Sequence, residues 1–229
     1  MNQLSILFLS CRRLSYLKRT VEVVRTHFSS LESDAAPAWI CFDNGSSAED
    51  QAELARMEWD ELLLSKSNLG IGPAMNRLVA MVRTPYVLNL QDDWLLENPA
   101  GIRFFDRCAR IMSENPKIAQ VKLDAHHFLD FKDRAAYDGP FACAEGAAFF
   151  VQNPQMLWGG FTFPPAVTRT EALWQVGPFR EDQPSRRGWA ESEYSARFSQ
   201  RFLCAKSPDM LLFKHIGTAA SPGWDSVRD

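Results

Sequence analysis

Thr84-Pro85-Tyr86-Val87-Leu88-Asn89-Leu90-Gln91-Asp92-Asp93-Trp94 is the stretch on which the fold turns. Pro85 sets the start of a short strand, and Tyr86, Val87, Leu88 and Leu90 suit one buried on both faces. The strand ends abruptly in two adjacent carboxylates. Such a pair is costly if buried without partners, and its members repel each other, so an ionised pair calls for a cation. Hard oxygen ligands at the C-terminal end of a parallel strand point to a Mg²⁺ or Mn²⁺ site that also holds phosphates. A solvated turn after a strand is the other reading of Asp92-Asp93 taken alone.

The surrounding chain favours an α/β fold. It has 229 residues, 46% of them hydrophobic, enough for one large domain with a full core. A net charge of −3 argues against a broad nucleic-acid-binding face. The five cysteines have no CxxC spacing, which fits a reducing, cytoplasmic setting without structural zinc. The apolar start, Leu4 to Leu9, lacks a preceding basic region and reads as a first strand rather than a signal peptide. No run is long enough to span a membrane, which leaves peripheral membrane contact open.

In order, the strand Leu4 to Leu9 ends in Ser10-Cys11-Arg12-Arg13. Leu14, Leu17, Val21, Val24 and Phe28 then recur at helical spacing. Ala38 to Phe42 is a second strand ending in Asp43-Asn44-Gly45-Ser46-Ser47, where Ser47 caps a helix. Glu61 to Ser65 is a third strand, followed by Asn68-Leu69-Gly70 and a helix over about 72–83. Gly70-Ile71-Gly72 resembles part of a dinucleotide fingerprint, but Met75 stands at the third glycine position and the motif follows the third strand, which argues against a Rossmann dehydrogenase. Asn98-Pro99 opens a helix with Ile102, Phe105, Cys108 and Ile111 inward. Beyond it, Ile118 to Leu123 and Ala147 to Val151 are strands, residues 124–145 are irregular, and 153–165 form a Pro/Gly/aromatic loop. Thr170 to Val176 and Ala190 to Phe202 are helices, and Met210 to Phe213 is a last strand. His126-His127 has no acidic partner at ligand spacing and is structural.

This order of motifs resembles that of the GT-A-fold nucleotide-sugar glycosyltransferases, especially the family 2 type, from about Leu4 to Gly217. The resemblance implies one GT-A domain over 1–229: a Rossmann-like nucleotide-binding half to about 115 with a mostly parallel central sheet, continuous with a smaller acceptor half from about 116. It assigns Ser10, Arg12, Asp43, Asn68, Gly70, Asn76, Gln91 and Asp92 to the donor, with Asp43 accepting from the ring N–H of uracil. Gln91-Asp92-Asp93 stands at the DxD position with Gln91 in place of the first acid. Asp93 and, later, His215 would hold a Mn²⁺ or Mg²⁺ ion. The segment from Pro165 to Phe179, with Arg169, is similar to the acceptor floor, and Trp158-Gly159 offers an aromatic face to a sugar ring. Aligning Ala190-Glu191-Ser192-Glu193 on Arg197 puts Glu191 at the position of the catalytic acid.

The implied activity is transfer of a sugar from a nucleotide-sugar, a UDP-sugar, to a saccharide or other hydroxyl-bearing acceptor. Glu191 is the general base, and a single base without a carboxylate nucleophile implies inversion. Processive synthesis is not implied, because Gln200-Arg201-Phe202 lacks the spacing of the synthase motif. A nucleotidyltransferase would need glycines in Ser10–Arg13. The alternative is a non-catalytic nucleotide- or sugar-binding module of the same descent, since Gln91 breaks the usual acid motif. The arginines Arg180, Arg186 and Arg187 lie on a charged loop before Glu191.

Overall fold

The computed structural model describes residues 3–30, 36–97, 103–124, 131–142, 148–156, 159–182 and 189–217. The Asn98-Pro99 helix start, Ile102, His126-His127, Trp158, Arg186 and Arg187 lie outside them.

The first half alternates strand and helix as expected. It comprises β1 (Leu4–Ser10), α1 (Leu14–Ser30), β2 (Ala38–Asp43), α2 (Ala48–Leu54), β3 (Glu61–Leu64), α3 (Ile71–Met81), β4 (Tyr86–Gln91), the short β5 (Trp94–Leu96) and α4 (Phe104–Glu114). Then come β6 (Ile118–Lys122), β7 (Tyr137–Ala142), β8 (Ala148–Gln152), β9 (Ala166–Arg169), α5 (Thr170–Val176), α6 (Trp189–Phe198), β10 (Leu203–Lys206) and β11 (Phe213–His215). The main sheet has the order β3-β2-β1-β4-β9-β6-β10-β8-β7, and β11 pairs with β5 in a second, two-stranded sheet. Of the nine strands in the main sheet, β8 and β9 run against the rest. The fold is thus mixed α/β around a large, mostly parallel sheet.

The strand period of two divides β1 between two cores. Leu4, Ile6 and Phe8 pack with Leu17, Val21 and Val24 of α1 and with Cys108, Ile111 and Met112 of α4. Leu7 and Leu9 face the other layer, with Ala74, Met75 and Leu78 of α3, Leu173 of α5 and Tyr194 and Phe198 of α6. Covering both faces is what permits β1 to be buried along its whole length.

The second half departs from the sequence expectation in four places. The stretch expected to be irregular contains β7. The region of Pro165 to Phe179 supplies β9, which enters the middle of the sheet between β4 and β6. The last long helix stops at Phe198 and is followed by β10; Phe202, four residues on, extended the apparent helical pattern but packs its ring 5.4 Å from Phe198 from outside the helix. The expected strand Met210–Phe213 is a 3₁₀ turn at Pro208–Met210 followed by β11. On α4, Phe104 is buried, whereas Phe105 is half-buried with its ring 5.8 Å from that of Tyr86.

Candidate active site

Strand β1 lies between β2 and β4, so the chain leaves it in one direction to build β2 and β3 and in the other to build β4. Open α/β sheets bind ligands outside the strand C-termini at such a switch point. Ser10 pairs with Asp43 and Leu9 with Gln91 in the register, which sets three loops side by side. They are tied together. The Cys11 N–H donates to Asp92 Oδ2 (3.2 Å). The Arg12 N–H donates to Ser46 Oγ (2.7 Å), and its Nε–H donates to the Gly45 carbonyl (3.3 Å). Arg12 is exposed and has φ of 57°, left-handed backbone that a non-glycine side chain adopts only where its surroundings impose it. The buried Ser10 Oγ has no hydrogen-bond partner among the described residues.

The two acids are buried to the same extent but held differently. Asp92 faces the Cys11 amide, and Thr20 donates to its carbonyl (2.9 Å). Burial, and then the charge of Asp93, push the Asp92 carboxyl up to about 7. The Asp93 carboxylate accepts from Arg13 Nη1, and His215 Nε2 lies 3.1 Å from the same oxygen, Oδ2. The β5–β11 ladder produces this meeting by pairing His215 with Trp94, and the Ile216 N–H donates to the Asp93 carbonyl (2.9 Å). A Cβ on Gly217 would sit 2.3 Å from Asp93 Oδ2 and 3.0 Å from Arg13 Nη1, so the chain after β11 closes directly onto the pair. Gln91 accepts from the Trp94 indole (3.4 Å).

On the β2 side, the Asn44 amide donates to Asn68 Oδ1 (2.9 Å) and its oxygen accepts from the Leu69 N–H (2.8 Å). Gly70, at φ of 83°, also donates to Asn68 Oδ1 (2.9 Å). Gly45 (φ 88°) carries the loop so close that a Cβ would meet the Ser67 carbonyl carbon at 2.4 Å. Two of the residues assigned to the donor are also bonded within the protein. Asp43 is fully buried and accepts from the Ser46 N–H (3.0 Å), the Ser46 hydroxyl and Gln51 Nε2 (2.8 Å). Three donors take most of a carboxylate's acceptor capacity, so Asp43 holds the shape of this turn. Asn76 exchanges hydrogen bonds with Phe179 (2.9 and 2.8 Å) and donates to Glu181 (2.7 Å), pinning the 179–181 segment to α3.

Glu191 begins α6. Its Oε1 accepts from the Thr162 hydroxyl (2.8 Å) and the Phe163 N–H (2.7 Å). Asn89 Nδ2 donates to the Phe163 carbonyl (2.5 Å), which joins this loop to β4 two residues before Gln91. Burial raises the Glu191 carboxyl above the ordinary carboxylate range despite those two bonds. Glu193 points elsewhere and is paired with Arg197 (2.6 and 2.8 Å).

Behind Glu191 lies a cluster that the sequence did not reveal. Lys122 and Lys206 are direct register partners on β6 and β10, both buried, and Lys206 Nζ bonds Asp124 (3.2 Å). Desolvation lowers both lysine pKa values, with Asp124 opposing it in each. Strand-end lysines read as solvated by default, and only the pairing register reveals them as neighbours. Arg13 was likewise visible in the sequence without its partner 80 residues away.

The acceptor assignments divide. Gly159 and Gly160 let their loop press inward: a Cβ on Gly159 would meet the Asn153 carbonyl oxygen at 1.8 Å, and one on Gly160 would meet Ser195 Oγ at 2.2 Å. Arg169 does not join the site. It pairs with Tyr86 at the start of β4, roughly 20 Å of strand from Asp93. Its guanidinium donates to the Met112 (2.5 Å) and Ile118 (3.2 Å) carbonyls.

The expected Mn²⁺ or Mg²⁺ finds no ready-made ligand set among these residues. Among the described residues, no group of three His, Cys, Asp or Glu side chains converges on a point that a metal ion could occupy. Asp93 and His215 do meet, but the shared oxygen already carries the Arg13 guanidinium, Gln91 is neutral, and Asp92 is turned to an amide. As arranged, the set does not fit a divalent ion. No helix among the described residues is long and apolar enough to cross a membrane.

No family model matches the sequence, and no curated protein matches it. Solved structures do. The mannosyltransferase PcManGT from Pyrobaculum calidifontis, in complex with GDP-Man and Mn²⁺, superposes with a TM-score of 0.65 at 12% identity, over 99% of this chain and 60% of that one. The S. aureus TarS fragment 1–349 gives 0.61 at 12% identity, over 93% and 60%. The same fragment in complex with UDP gives 0.61 at 12%, over 99% and 63%. The chain therefore spans about 60% of the length of the mannosyltransferase and of the TarS fragment, and 38% of the longer TarS chain. The likeness is one of fold: that of the GT-A glycosyltransferases.

Proposed function

We propose that the chain transfers a sugar from a nucleoside diphosphate sugar, a UDP-sugar being the first candidate, to an acceptor hydroxyl with inversion. One observation carries this reading: at the switch point, loops after β1, β2 and β4 are bonded to one another, and a partly buried carboxylate of raised pKa, Glu191, is linked to β4 through the Phe163 backbone. The fold it shares with a mannosyltransferase bound to GDP-Man and with TarS bound to UDP supports the donor class.

In this reading Glu191 takes the acceptor proton through a carboxylate already oriented by Thr162 and Phe163. The acceptor oxygen bonds to the anomeric carbon as the carbon–oxygen bond to the diphosphate breaks. Asp124 is tied to Lys206, which leaves Glu191 as the acid for the task and favours a single displacement, hence inversion. The exposed Arg12, on the loop after β1, meets the charge developing on the diphosphate. Gly159 and the undescribed Trp158 remain candidates for the acceptor.

The test is mass spectrometry over a panel of UDP- and GDP-sugars with saccharide acceptors. Transfer or donor hydrolysis from one of them supports the reading, and inertness across the panel overturns it. Gln91 favours one second reading, a non-catalytic nucleotide-binding module, which predicts nucleotide binding without turnover.

A further inference from the structure

We infer that the guanidinium of Arg13 stands in for the divalent cation at Asp93, so that the site takes a nucleoside diphosphate without metal. This rests on the site being one for a nucleoside diphosphate, as proposed above.

The argument is one of charge and space. Arg13 Nη1 and His215 Nε2 share Asp93 Oδ2, and the Arg13 and Asp93 side chains are only 8% and 9% exposed. Arg13 Nη1 also lies 4.0 Å from Asp92 Oδ1, so one fixed cation serves both acids. A divalent ion at Oδ2 would have to displace the guanidinium or sit against it, and like charges at contact distance in a buried site repel strongly. Gly217 packs against both groups and limits the room of the guanidinium on that side: an added Cβ would stand 2.3 Å from Asp93 Oδ2 and 3.0 Å from Arg13 Nη1. The replacement of an acid by Gln91 points the same way: a site whose cation is a single positive charge needs fewer negative ligands than one built for two. A guanidinium presents five N–H donors in a planar fork, enough to bridge a carboxylate and a phosphate oxygen together. Arg13 follows β1 directly, on the switch-point loop, where a diphosphate would be received.

The deciding experiment is calorimetric titration of UDP, and separately GDP, into the whole chain with EDTA and with excess MnCl₂, alongside electron paramagnetic resonance of Mn²⁺ added to the protein alone. The expected result is equal nucleotide affinity in both conditions, within about twofold, and no Mn²⁺ bound by the parent protein. Arg13→Gln should weaken UDP binding in EDTA by about 10- to 100-fold, the loss of one hydrogen bond to a charged group. In that variant Mn²⁺ should bind and recover the affinity, since Asp93 and His215 are then released. Arg13→Lys keeps the charge and should stay indifferent to EDTA. Because Arg13→Gln leaves a buried acid unpaired, Arg13→Gln with Asp93→Asn serves as its folding control and should bind no Mn²⁺. A parent protein whose UDP affinity falls about tenfold or more in EDTA overturns the inference and leaves the transferase reading standing. Failure to bind UDP or GDP in either condition overturns both.

Discussion

Replacing Glu191 by Gln and by Ala separates its chemical role from its structural one. The two hydrogen bonds that Oε1 accepts, from Thr162 and from the Phe163 amide, can both be accepted by a glutamine carbonyl. Gln therefore keeps the loop and removes the basicity. Transfer should fall by about two to four orders of magnitude while UDP affinity holds. Stability follows from which effect on the carboxylate is larger. Charge-assisted bonds to Oε1 are stronger than neutral ones, but desolvation is the leading influence on this group and raises its pKa. With the folded-state pKa above the unfolded one, the folded state binds the proton more tightly, so the stability this group contributes declines as pH rises through the folded pKa. Glu191→Gln should thus melt at or above the parent temperature in mildly alkaline buffer. Glu191→Ala instead orphans two donors at about 1–3 kcal/mol each, roughly 5–20 °C in melting temperature for a chain of this size. Glu193→Gln loses only the charge of a half-buried i,i+4 pair with Arg197 and should transfer nearly normally. The assays are single-turnover transfer, UDP calorimetry and thermal unfolding on the same preparations. Near-parental transfer by Glu191→Gln, or a dead Glu193→Gln, refutes the assignment of the base.

Other outcomes follow from the same geometry. The Asp92 pKa of about 7 against an ordinary 3.8 means that the folded state holds a proton the unfolded state releases, so stability falls as pH rises through that window; Asp92→Asn should flatten the dependence in denaturant titrations and be the more stable form at the alkaline end. Arg12→Gly relieves left-handed backbone, about 1 kcal/mol, and should leave the fold intact or tighter in urea melts while weakening UDP binding in calorimetry. Gly45→Ala must move the Ser67–Asn68 backbone, so proton–deuterium exchange should rise in residues 65–70 and UDP affinity should drop about tenfold or more. Unchanged exchange would mean that the loops are not coupled.

Most of the first half was legible because β1, β2 and β4 are near-continuous apolar runs with helices between the strands. Buried parallel strands demand that pattern, and few other arrangements tolerate it. The second half was not, for a physical reason. Strands β9 and β10 have four residues each and carry Thr168, Arg169 and Lys206, so neither alternation nor an apolar run marks them. Their neighbours in the sheet supply the burial. At the site, Asp92, Asp93, Glu191 and His215 were legible by position, since each sits at a strand or helix end. Their partners were not. An Asx-type turn and a base contact use the same residue at Asp43, and the sequence cannot say which one wins. Arg13 looked like half of a basic dipeptide, and its meaning depends on a carboxylate brought to it by β4.

The placement of β9 also orders events in time. Strands β4 and β6 never touch; each meets only β9 on its shared side. Until residues 166–169 exist, β4 is a bare edge and β6, whose other neighbour β10 comes later still, has no partner in the sheet. A nascent chain can therefore lay down β1 to β4 as a four-stranded unit early, while everything after α4 waits. Unpaired apolar edges of this kind recruit other chains. The interval between the emergence of β4 and of β9 from the ribosome is when this protein is most exposed to misassembly, and chains interrupted within it should be the ones that chaperones retain.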